Sequence, residues 1–217
     1  MKMKYIIRAI CLLVVGFLSY QYPWFVFLLL ALMVGVLLYM GMASVVWLIR
    51  NRFAWRRLRV SLILAVMIMI CLGIGLLKPL PEPISWTQEV GEDLRYAHST
   101  DQGDRMNLKF FLPPFTEQMK ARDSIRFEVV REMIGKGQIE KPWDKFYASF
   151  ILHHNPMKDS SMYELAHELA RQAAAEPTMT GEYQVQWLAK ATYDRWMLSI
   201  GQPQKYGTQG GVSFSIE

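Results

Sequence analysis

His153 and His154 stand side by side, His167 follows next to Glu168, and Asp194 adjoins Arg195. A histidine beside a carboxylate can act as an acid–base pair or ligate a metal. The spacing argues against a metal helix, because His167-Glu168-Leu169-Ala170-Arg171 lacks the second histidine of an H-E-x-x-H pattern. Cys11 and Cys71 are the two cysteines and both lie in apolar runs, so neither a cysteine-based zinc site nor a disulfide framework is open to the rest of the chain. No metal and no cofactor is expected. Arg195 is in register with Leu188, Ala191 and Leu198, on or beside an apolar stripe, where an unpaired charge would cost several kcal/mol. Asp194 points about 100° away, which leaves Glu164, Glu168 or the C-terminal loop as partners. That loop reads Gly201-Gln202-Pro203-Gln204-Lys205-Tyr206-Gly207-Thr208-Gln209-Gly210-Gly211. Its amides and hydroxyls, on glycine joints, suit a segment that folds back to bond Arg195 or the histidines. His154 has a second reading, as an imidazolium at a helix C-terminus.

These groups need elements to position them. Helical patterning predicts helices over 116–134, with Thr116 as N-cap, and over 142–154, with proline in the first turn. Ser161-Met162-Tyr163-Glu164 matches a capping box opening a third helix, along which Leu165, Ala166, Leu169, Ala170 and Ala173 recur at helical spacing. A fourth, over 182–200, stops at Gly201. The alanines predict that the last two pack closely as an αα-hairpin. Residues 79–115 carry no clear period and read as a proline-containing linker with a short extended piece at 107–112.

The N-terminal part is of another kind. Eight basic residues and no acidic ones precede Lys78, whereas sixteen basic residues from Lys78 onward face all nineteen acids. The net charge of +5 therefore divides into +8 and −3, and the basic excess does not mark a nucleic-acid surface. Apolar runs at 5–22, 24–49 and 60–77 predict three transmembrane helices, since a bilayer core takes about 20 apolar residues. Arg8 shortens the first, for which a signal peptide is the alternative; no small-x-small cleavage pattern follows it, and a retained span is favoured. Five arginines between 50 and 59 place that loop in the cytoplasm together with Lys2, Lys4 and the N-terminus. Three crossings then put the C-terminal domain outside the cytoplasm. The expected fold is thus mainly α: a membrane anchor over 1–78, the 79–115 linker, and a small soluble helical domain over 116–217.

The motifs Ala166-His167-Glu168-Leu169-Ala170, Trp187-Leu188-Ala189-Lys190-Ala191-Thr192-Tyr193-Asp194-Arg195 and the closing run Gly201 to Gln209 resemble a family of bacterial domains of uncharacterised activity. The resemblance covers about residues 148–209. Where that family has glycine or alanine and then an acid after the helix-two histidine, this chain has Asn155-Pro156, with Asp159 nearby. The resemblance implies that His154, His167, Asp194, Arg195, Tyr206 and Gln209 converge on one place; with Gln204 and Thr208 of the closing loop they make up the candidate functional cluster. The expected function is that of a module in the bacterial inner membrane whose domain binds a peptide, a protein or an envelope component, with the bilayer as second partner and no nucleic acid. The alternative is a hydrolase of envelope material, with His154 or His167 as general base and Arg195 stabilising negative charge.

Overall fold

A computed structural model describes residues 2–50, 55–87, 89–154 and 156–210. Positions 51–54 of the arginine loop, Asn155 and the chain from 211 onward lie outside the described residues. Those described form helices and no strand. The α-helices are α1 (Lys2–Gln21), α2 (Pro23–Arg50), α3 (Trp55–Leu77), α4 (Val90–Arg105), α5 (Thr116–Gly135), α6 (Pro142–His153), α7 (Ser160–Ala175) and α8 (Tyr183–Ser199). They divide into two compact units: the first is Met1–Leu80 with Arg105–Leu112, the second Pro81–Asp104 with the chain from Pro113.

In the first unit, α2 and α3 contain stretches long and apolar enough to cross a bilayer, Pro23–Ile49 and Leu58–Leu77. The first of the three expected spans falls short: α1 carries only the shorter apolar stretch Tyr5–Gln21, with Arg8 near its start. Leu29, Met33 and Val36 of α2 bury against Ala65, Ile68 and Cys71 of α3. Alpha-helix α1 joins through small groups. The Ser19 hydroxyl donates to the Cys71 carbonyl at 2.6 Å. A Cβ on Gly75 would lie 2.7 Å from both Ser19 Oγ and Val26 Cγ2, so only glycine lets the three helices approach.

In the second unit, α6 packs on α7 and α7 on α8. Leu152, Ala148, Ala166 and Leu169 share one core with Leu94 and Ala97 of α4 and Phe127 and Val130 of α5. Phe146, Ala170, Ala173, Val185 and Leu188 form the core that closes the α7–α8 hairpin. Each large apolar side chain buried in this way contributes about 1.5–3 kcal/mol.

Several local readings change. Residues 79–115, expected to be an irregular linker, contain α4, and the expected extended piece at 107–112 is a 3-10 helix, Leu108–Phe111, capped by the Asn107 side chain. Alpha-helix α4 escaped because its inner face carries Leu94, Ala97, Asp101 and Asp104, a helical period with carboxylates in apolar positions. Thr116 is inside α5, whose N-cap is Phe115 with no side-chain cap. The α7 cap is Asp159, which accepts from the Ser161 amide at 2.9 Å, in place of the predicted serine of a capping box. At the end of α8, Gly201 has φ +73°. Its amide and that of Gln202 bond the Leu198 and Met197 carbonyls, the Schellman arrangement that only a glycine adopts without strain.

Candidate functional site

The expected cluster separates into three places. The first is a clasp on α8. Asp194 is 0% exposed. Its Oδ1 accepts from the backbone amides of Lys205 and Tyr206 at 2.8 and 2.9 Å, and its Oδ2 from the amide and hydroxyl of Thr208, both at 2.8 Å. Gly207, at φ +68°, makes the turn that points those amides inward. Burial pushes the Asp194 carboxyl up, but the four donors outweigh it and hold its pKa below the ordinary range. Arg195, half-buried, donates through Nε and Nη2 to Gln209 Oε1 at 3.0 and 2.7 Å. Gln209 in turn donates to the Ala191 carbonyl, and its own amide bonds Gln204. The C-terminal loop, and not Glu164 or Glu168, is therefore the arginine's partner, and Asp194 is the buried charge where the helical register had pointed to Arg195.

The second place is a groove of about 370 Å³ lined by Ser161, Glu164, Leu165, His167, Glu168 and Trp196. His167 stacks on Trp196, with centroids 5.8 Å apart, and meets Tyr193, which touches Tyr206 of the clasp edge-on. Its Nδ1 is buried without a hydrogen-bond partner. Burial lowers the His167 pKa, against the raising effects of the Ala189 backbone and of Glu168, so the ring favours its neutral form. Glu168 is held down to about 2 by Arg171 and Gln172. Glu164 is exposed and has no ion pair among the described residues.

His154 belongs to a third place, which patterning missed. Its Nδ1 lies 2.9 Å from Asp101 Oδ2 at the end of α6. From there a buried network runs between α4 and α5. Arg126 is 0% exposed. It reaches Asp104, Asp123 at 3.0 Å and the Thr100 hydroxyl at 3.2 Å. Arg122 grips both Asp104 oxygens, at 2.7 and 3.1 Å. His98 packs among Phe146, Tyr147 and Phe150, and burial lowers its pKa although Asp101 raises it. The signal available in the sequence was a shared one: Asp101 and Asp104 stand three apart and Arg122 and Arg126 four apart, each pair on one helix face.

No family profile, curated protein or solved structure matches this chain. No group of three or more His, Cys, Asp or Glu among the described residues is placed to hold a metal ion. Catalysis of the hydrolase kind needs a base and an electrostatic stabiliser around one open cleft. Arg195 is engaged by Gln209, His154 sits beside Asp101, and His167 lines the α7–α8 groove.

Proposed function

We propose that the chain is a membrane-anchored, non-catalytic module whose C-terminal unit lies outside the cytoplasm and takes a polypeptide partner across the α7–α8 groove. The observation that carries this reading is the closure of the clasp. Asp194, Arg195, Gln204, Thr208 and Gln209 satisfy one another, so the most polar motif of the sequence shapes a surface and leaves no group poised for reaction. The groove beside it combines the Glu164 carboxylate, which has no ion pair among the described residues, with the Trp196 ring, a set that favours a lysine or arginine side chain of the partner. Tyr183 and Trp187 stay solvent-exposed on α8, of the residue types enriched at protein interfaces.

A photoreactive residue at Ser161 of the full-length protein in membranes is expected to give one discrete polypeptide adduct. That adduct should be competed by a lysine-rich peptide, spared by an acidic one, and lost in Glu164→Lys. An adduct indifferent to both peptides and to the charge reversal overturns the groove. The location is tested by fusing alkaline phosphatase after Glu217: activity is expected, and an inactive fusion reverses the topology.

The hydrolase reading retains one supporting observation, a His167 ring that favours its neutral form at the wall of an open groove. Ser161, the hydroxyl in the same groove, donates to Asp159 Oδ1 at 2.9 Å, in the cap of α7.

A further inference from the structure

The short 3-10 helix Leu108–Phe111 packs with the apolar helices of the first unit, and its attachments all lie at one end of them. Helices α1 and α3 finish at Gln21 and Leu77, and α2 begins at Pro23. The Lys78 ammonium donates to the Gln21 carbonyl at 2.8 Å, and the Lys109 ammonium to the Lys78 carbonyl at 2.7 Å. Two lysines thus sit at the negative C-terminal ends of α1 and α3, where cations are favoured. Phe111 meets Phe27, in the second turn of α2, edge-on at 6.0 Å. Tyr20, Tyr22 and Trp24 are exposed at the same level, as aromatic residues are at a membrane–water boundary. While Lys109 is turned inward, Met106 is 64% exposed and Phe111 43% exposed, two large apolar side chains facing out beside the lipid-facing surface of α2. Arg105 lies over the Phe110 ring at 5.6 Å.

We infer that Arg105–Leu112 is an interfacial membrane element, held to the end of α3 through Lys78 and to the start of α2 through Phe27, whose Met106 and Phe111 side chains enter the lipid layer. It returns the chain to the bilayer after α4 and makes the bilayer surface, in addition to the spans, a binding partner. The inference rests on α2 and α3 crossing a membrane, and the experiment separates the two claims.

With Cys11→Ser and Cys71→Ala as background, nitroxide labels are placed singly at Met106→Cys, Phe111→Cys, Leu38→Cys in mid-α2 and Gln118→Cys on exposed α5, in full-length protein in liposomes. Relaxation by oxygen, which partitions into lipid, is compared with relaxation by a water-soluble nickel chelate. The oxygen-to-nickel ratio at 106 and 111 is expected to exceed that at 118 several-fold and to approach that at 38. A ratio at 106 and 111 equal to that at 118, with 38 still lipid-like, overturns the interfacial element and leaves the spans intact. An aqueous ratio at 38 overturns both.

Discussion

Asp104 and Asp194 are buried carboxylates on helices of the same unit, yet two guanidinium groups neutralise Asp104 and four neutral donors of one loop satisfy Asp194. The donors to Asp194 come from residues 11 to 14 positions away in the chain, whereas those to Asp104 come from 18 and 22 positions away, on another helix. A loop of amides is held by its own turns and can form once α8 exists. A carboxylate–guanidinium network forms only when α4 and α5 dock, and until then each charge is better off in water. The clasp is thus a local device and the network a tertiary one.

The largest expected effect comes from breaking the network. Arg126→Ala leaves Asp104 with a lost partner in a buried site and is expected to cost about 3–5 kcal/mol, read as the urea midpoint of the detergent-solubilised protein. Arg126→Lys, which keeps a positive charge beside Asp104 and Asp123, should cost less than Arg126→Ala; equal losses would deny the network its ionic character. Asp194→Asn places an amide donor against the loop's amides and is expected to cost about 2–3 kcal/mol. It should also free residues 201–210, seen as faster proteolysis there with α4 and α5 unaffected. Gln209→Ala removes the partner of Arg195 at a partly exposed position, where the guanidinium regains water, and about 1 kcal/mol is expected.

Acid sharpens the comparison further. His98 and His167 have folded pKa values lowered by burial, so the unfolded chain binds their protons first as pH falls. Their contribution is present above about 6.5, the ordinary histidine value, and is lost progressively below it. The Asp194 contribution, also from a lowered folded pKa, is present above about 4 and is lost only below that. Tm against pH should therefore fall in two stages, and His98→Phe with His167→Phe should flatten the first. A single fall confined to the acid side of pH 4 would contradict the buried state of both rings.

What could be read in advance follows the same division. The apolar runs of α2 and α3, the hairpin of α7 and α8, and Gly201 as a stop signal are patterns in which neighbouring residues carry the whole message. For α4, residues that burial rules assign to the surface line its interface with α5: Asp101 and Asp104 face Arg122 and Arg126 in the positions where leucines would have announced a helix. The clasp was legible as a polar glycine-jointed tail, but the charge it encloses was assigned to Arg195, because a stripe drawn through Leu188 and Ala191 continues to either neighbour. Only the path of the loop selects Asp194.

The sequence by itself determined where this protein can meet a bilayer and which tail residues carry donors and acceptors, since hydrophobic length and hydrogen-bonding capacity belong to residues one at a time. The tertiary structure alone decided that His154 joins Asp101, that His167 lines a groove with Trp196, and that residues 105–112 return to the ends of the apolar helices. Those outcomes depend on which charges can leave water together, a property of pairs of residues that the chain order does not contain.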